Sequence, residues 1–208
     1  MKKIVPHILF FFLTFSTYSQ GVFFNLGKNF STLTYKNNSS FTKKLIVNGV
    51  GDAYELGFTD VLKYKNFKDL KYTGSITIND YNAVAESTQN LLEWKTTYLG
   101  VQSTVDYQFY DSFYFFLSAR AGLSLSTILR GKQVVDNSAY NLAGNGEFSG
   151  LVLQPVIGVY AKYYLSKNGY LSAGLNFSKN VKLANNLDNV SINTTQIMFG
   201  GYFDLIKR

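Results

Sequence analysis

The sequence predicts an all-β protein: an eight-stranded antiparallel up-and-down transmembrane β-barrel behind an N-terminal signal peptide. Three observations carry this. Long segments alternate apolar and polar residues, the connections between them alternate in length, and outside the leader no apolar run is long enough for a spanning helix. The clearest alternation lies in residues 113–126. Phe113, Phe115, Leu117, Ala119, Ala121, Leu123 and Leu125 alternate there with Tyr114, Phe116, Ser118, Arg120, Gly122, Ser124 and Ser126. Successive side chains of a strand point to opposite faces, so period two marks a strand. The run exceeds a usual soluble strand and suits a tilted strand crossing a bilayer. Arg120 in its middle needs a polar side to face, which the lumen of a closed barrel supplies.

The leader comes first. Met1, Lys2 and Lys3 form a basic start, residues 4–15 are mostly apolar, and small residues follow up to Ser19. This reads as a secretory signal peptide over 1–19, cut after Ser19, with an N-terminal anchor helix as the other reading. The remaining residues 20–208 suit a single barrel domain. Cleavage removes two lysines and the only histidine, His7, and leaves 18 basic and 13 acidic residues. The chain has no cysteine, so a disulfide framework is excluded. High aromatic content with only two prolines favours strands and turns over helices. The basic excess is too dispersed for a nucleic-acid partner.

Eight candidate strands follow in order. Over 22–35, Phe24, Leu26 and Phe30 oppose Gly27, Asn29 and Ser31, with Lys28 falling on the apolar side. Over 53–63, Tyr54, Leu56 and Phe58 alternate with Ala53, Glu55, Gly57 and Thr59. Over 69–79, Leu70, Tyr72, Ile76 and Ile78 oppose Lys71, Thr73, Ser75 and Thr77. Over 92–109, Leu99, Val101, Val105, Tyr107 and Phe109 oppose Gly100, Gln102, Thr104, Asp106 and Gln108. The fifth strand is the run already described, continued to Leu129. Over 150–165, Leu151, Leu153, Ile157, Val159, Ala161, Tyr163 and Leu165 oppose Gln154, Gly158, Lys162 and Tyr164. Pro155 cannot donate to a ladder, so a bulge is expected there. Over 170–182, Leu171, Ala173, Leu175 and Phe177 oppose Ser172, Gly174, Asn176 and Ser178. Over 193–206, Ile197, Phe199, Phe203 and Leu205 oppose Gln196, Gly200, Tyr202 and Asp204.

Residues 36–52, 80–91, 130–149 and 183–192 read as longer loops, and 64–68, 110–112 and 166–169 as tight ones. Such sorting fits an outer-membrane barrel with both termini periplasmic. Tyr72, Tyr107, Tyr163 and Tyr202 lie near strand ends, either as interfacial girdles or as ordinary strand aromatics.

The order of features resembles a family, the Bacteroidota outer-membrane β-barrel domain proteins often called PorT-like. The resemblance rests on the leader ending Tyr18-Ser19-Gln20, a first strand Leu26-Gly27-Lys28-Asn29-Phe30-Ser31-Thr32-Leu33, the alternation Ala119-Arg120-Ala121-Gly122, and the closing strand Gly200-Gly201-Tyr202-Phe203. It implies an eight-stranded barrel in the outer membrane and supplies no catalytic residues. It also suggests an accessory role in a secretion or gliding machine, an analogy of fold only.

An eight-stranded barrel is just wide enough for side chains to fill it. Glu55, Asp106, Arg120, Lys162 and Asp204 are therefore expected to form a structural polar cluster in the lumen. A gated ion path is the functional alternative. An enzyme is not expected, because barrel hydrolases use a histidine base and the mature chain has none. No cofactor or metal is expected either, since imidazole and thiolate ligands are missing and Asp136 and Glu147 match no calcium loop. Lys36, Lys43, Lys44, Arg130, Lys132, Lys179 and Lys182 lie in or beside the expected extracellular segments. They serve either solubility or attraction to lipopolysaccharide phosphates. The expected partner is outer-membrane lipid, and the expected role is structural or interactive, through the extracellular loops. A third reading is a secreted lipocalin-like barrel. It puts Leu117, Leu123, Leu125, Val159 and Leu175 inside around an apolar ligand and leaves Arg120 in water.

Overall fold

In the computed structural model, residues 21–35, 45–62, 70–86, 91–135, 138–142, 150–180 and 190–205 are described. The leader, including the cleavage site, lies outside them. The strands are β1 (Gly21–Tyr35), β2 (Leu45–Val61), β3 (Leu70–Glu86), β4 (Leu91–Asp111), β5 (Phe115–Val135), β6 (Ser138–Asn141), β7 (Leu151–Ser166), β8 (Gly169–Lys179) and β9 (Val190–Asp204). All neighbours are antiparallel. The pairing of β1 with β9, from Gly21↔Asp204 to Tyr35↔Val190, closes the sheet. Strands β1–β5 and β7–β9 thus form a closed eight-stranded barrel, and β6 is a short flap folded back on the tip of β5. Closure leaves no edge along the barrel wall.

Residues 21 and 204 define one mouth of the barrel, here called the terminal end, and the turns at 112–114 and 167–168 share it. The opposite mouth is the far end. Strands β2 to β5 run further toward the far end than the alternation predicts. β2 starts at Leu45, β3 continues to Glu86 and β5 to Val135, so much of 36–52, 80–91 and 130–149 is strand rather than loop. The reason is compositional. Asn48, Asp52, Asp80, Asn82, Lys95 and Lys132 put polar side chains on the outward positions as well, and period two disappears.

The bulge expected at Pro155 is absent. Pro155 pairs in register with Leu123, and the β7–β8 ladder stops one residue later at Val156↔Ser178. Beyond that pair one side of β7 has no ladder partner among the described residues, and a missing N–H is tolerated there.

Strands β2 and β3 lose ladder contact between Asn48↔Val84 and Ala53↔Asn79. Side chains take over: Asn29 donates to the Asp80 carbonyl at 2.8 Å and Ser31 to the Asn82 carbonyl at 2.7 Å. Both reach from β1 across β2, and Gly49 and Gly51 clear the way. A Cβ at Gly49 would stand 2.0 Å from the Asn82 carbonyl oxygen.

The pleat sorts the chemistry. Apolar side chains project outward: Leu123 is 51% exposed, Val159 49% and Leu175 44%, while Arg120 is buried inside at 2%. This is the reverse of the lipocalin-like expectation, and it follows from register. Ser118, Arg120, Ser124 and Ser126 share one face of β5, and that face is the lumen. Lys28 does occupy the outward face. Its ammonium sits 2.6 Å from Asp52, its cross-strand partner, with the two side chains 62% and 42% exposed.

Candidate functional site

The lumen centres on Arg120. It sits directly opposite Asp106 across the β4–β5 ladder and opposite Gly158 on β7, where a Cβ would stand 2.3 Å from Asn176 Oδ1. Arg120 Nε donates to Asp106 Oδ1 at 2.8 Å and Nη2 to Asp106 Oδ2 at 3.1 Å, a bidentate fork. Nη1 donates to both Glu55 oxygens at 3.3 Å and to the Tyr160 hydroxyl at 3.2 Å, and Nη2 also reaches the Tyr202 hydroxyl at 3.0 Å. A guanidinium has five N–H donors, and these acceptors use all of them. Lys162 Nζ lies 3.3 Å from Asp106 Oδ2 and 4.1 Å from the centre of the Tyr202 ring.

Glu55 is held further by neutral donors, Asn25 at 2.8 Å, Ser75 at 2.9 Å and Gln102 at 3.1 Å. The four ionised side chains sum to zero charge. Buried ions of this kind are tolerable only when every charge is paired and every remaining lone pair is bonded. The Tyr160 ring takes part as well as its hydroxyl, with the Arg120 guanidinium carbon 4.2 Å from its centre. Gly174 lies under that ring, and a Cβ there would stand 2.3 Å from Tyr160 Cδ1.

Apolar layers close both sides of this cluster. Toward the terminal end, Phe23, Phe116, Tyr170 and Tyr202 pack together, and Phe23 stacks on Tyr202 at 4.7 Å between ring centres. Toward the far end, Leu33, Tyr81, Ala83, Tyr98, Leu142, Val152 and Ile192 form a second layer, with Trp94 and Ile128 against it. The lumen is therefore filled: ions in the middle and aromatic or aliphatic stoppers above and below.

Glu55 on β2, Asp106 on β4, Arg120 on β5 and Lys162 on β7 thus meet in one network. Asp204 does not join them. It is the penultimate described residue, accepts a hydrogen bond from the Tyr170 hydroxyl, and sits at the rim beyond the aromatic layer. Sharing the inward phase was not sufficient, because height along the barrel also decides which side chains meet. Arg130 and Lys132 are exposed on β5 rather than in a loop, and Lys179 is the exposed last residue of β8. Lys36, Lys43, Lys44 and Lys182 lie outside the described residues, as do Asp136 and Glu147. No group of three or more His, Cys, Asp or Glu that could hold a metal occurs among the described residues.

Sequence reasoning overlooked Asn25 and Tyr160, and gave Tyr202 a second role as a girdle residue, although it is buried in the lumen. Tyr160 falls in phase with Gln154, Gly158 and Lys162, so the alternation of β7 already carried the signal. Tyr107 and Tyr163 do point outward.

These features define the class: a small closed eight-stranded barrel with an apolar exterior and a filled, polar lumen, the architecture of small outer-membrane barrels. Among solved structures the chain is similar to neisserial surface protein A, at 15% identity over 88% of this chain and 97% of that one, TM-score 0.48. It is also similar to OprG from Pseudomonas aeruginosa, at 11% identity over 90% and 97%, TM-score 0.48. A third likeness is to Ail, the attachment invasion locus protein of Yersinia pestis, at 14% identity over 89% and 99%, TM-score 0.42. No family model matches the chain, and no curated protein matches it. The comparisons thus assign no family, PorT-like or other.

Proposed function

We propose that this protein is a non-conducting, non-enzymatic outer-membrane barrel that anchors a rigid β-wall at the cell surface for contact with the envelope or a partner. One observation carries the reading: the lumen is blocked at three levels, by a neutral ionic network between two apolar layers. A conducting path would need a continuous polar, wettable route, which apolar constrictions interrupt. Membrane placement rests on the exterior. Along β4 the outward residues from Leu99 to Phe109 are apolar except Ser103, matching the nine to eleven residues or so of a spanning strand. Tyr107, Phe109, Tyr163 and Phe203 gather toward the terminal end of this belt, in keeping with an interfacial girdle.

The far end then faces outward from the cell. There β2 to β5 and the β6 flap rise past the belt, on the far side of which the layer with Leu142 and Tyr98 fills the lumen. The non-enzymatic reading rests on a mature chain without histidine or cysteine. The test has two parts: membrane fractionation with gels run with and without boiling, then planar-bilayer recording of the purified protein. A heat-modifiable outer-membrane band with no discrete conductance steps is expected. A soluble protein, or a reproducible channel, would overturn the reading.

A further inference from the structure

Above the apolar belt, the outward face of β3–β4–β5–β6 forms a groove of about 550 Å³ whose lining includes Asp80, Lys95, Thr97, Arg130, Lys132 and Asn141. Its charges are arranged against their own repulsion. Lys95 and Lys132 are direct cross-strand partners, so their side chains leave the sheet side by side. Like charges opposite one another destabilise a sheet. Arg130 adds a third cation next to Lys132, opposite Thr97. The carboxylates nearby are already engaged: Glu93 pairs with Lys95 at 2.8 Å, and Asp80 accepts from the Thr97 hydroxyl at 2.6 Å.

Thr97 in turn accepts from Arg130 Nε at 3.0 Å, which fixes the guanidinium and leaves its two terminal nitrogens without a hydrogen bond among the described residues. Lys132 has no ion pair among the described residues. A bulge between Thr97 and Tyr98 inserts Leu129 beside this site, and Leu129 and Leu99 are exposed just below the cations. The groove therefore has an apolar foot and a cationic head.

We propose that this groove binds the phosphate-bearing headgroup of an outer-leaflet lipid, with Arg130 and Lys132 holding the phosphate, Lys95 beside them, and an acyl chain running down over Leu129 and Leu99. The inference rests on the membrane reading above, because only a chain embedded to the level of Leu99 brings a headgroup to this height. Glu93 already compensates Lys95, so an anion at Arg130 and Lys132 supplies the counter-charge that those two lack among the described residues. The fixed fork of Arg130 suits a phosphate better than a lysine would.

The test uses the full mature chain refolded into phosphatidylcholine vesicles. Boiled and unboiled gels first establish insertion. Retention of lipid A is then compared for the native chain, for Arg130→Gln/Lys132→Gln, and for Lys167→Gln in the opposite turn, using intact and dephosphorylated lipid A. Removing two surface cations is expected to weaken retention of intact lipid A by about 30-fold. Lys167→Gln should leave it unchanged, and dephosphorylated lipid A should bind weakly to all three. Equal retention by an inserted double variant, or equal binding of the dephosphorylated lipid, would overturn the groove and leave the membrane reading intact. Failure of the native chain to insert would overturn both.

Discussion

Replacing Arg120 with methionine should be among the most damaging single changes in the barrel. The guanidinium is fully buried, with side-chain exposure of 0% against 3% for both Glu55 and Asp106. Its loss treats the two carboxylates differently. Among the described residues, Glu55 keeps Asn25, Ser75 and Gln102, whereas Asp106 keeps only Lys162 at 3.3 Å. The Tyr160 and Tyr202 hydroxyls each lose a charged donor, and the cluster goes from neutral to a net negative charge. Removing one partner from a buried ion pair costs about 3–5 kcal/mol. The neutral donors around Glu55 soften its share, so the cost should fall within this range and be centred on Asp106. Urea unfolding in lipid vesicles, followed through the single tryptophan Trp94, measures it. Pairing Arg120→Met with Glu55→Gln removes one charge of each sign and leaves Asp106 and Lys162 as a matched pair, so the double variant should be more stable than Arg120→Met alone. A single variant within about 0.5 kcal/mol of the native chain, the range of an ordinary surface change, would refute this account of the lumen.

Three further outcomes follow from packing and pairing. Gly174→Val drives a side chain into the Tyr160 ring and should cost about 1–3 kcal/mol by urea unfolding, as overpacking does. Leu142→Ala empties part of the far-end layer, should cost about 2–5 kcal/mol, and should shift the Trp94 emission to the red, because Trp94 packs against that layer. Lys28→Leu should lower the unfolding midpoint by leaving Asp52 alone on the outward face, and adding Asp52→Leu should restore it. A double variant less stable than the single would mean that the pair is not compensating a charge.

The barrel was legible because its alternation is a local property. Every side chain of residues 115–126 could be assigned to a face from its neighbours alone, and β5 presents those faces as assigned. What escaped was of two kinds. Where outward residues turn polar, as at Asp80, Asn82, Lys95 and Lys132, the pattern that distinguishes strand from loop vanishes although the strand continues. Phase also carries no information about height. It placed Asp204 with Arg120, but an aromatic layer lies between them, and it left Tyr160 unremarked because a tyrosine fits either face. The like-charged neighbours Lys95 and Lys132 could not be found from the sequence, since they meet only through the β4–β5 register.

The lumen network also draws on the whole circumference. Its members come from β1, β2, β3, β4, β5, β7 and β9, with Ser172 and Asn176 of β8 bonded to Asn25 and Tyr160, and the contact between Asn25 and Tyr202 spans 177 positions of the chain. Asn25 and Tyr202 flank the seam where the first strand meets the last. A partly assembled sheet would hold Arg120 and its carboxylates without their final ligands, exposed to the cost of an unsatisfied charge in an apolar setting. The cluster therefore works as a latch on ring closure. It rewards only the finished circle and favours an all-or-none transition between the closed barrel and the unfolded chain.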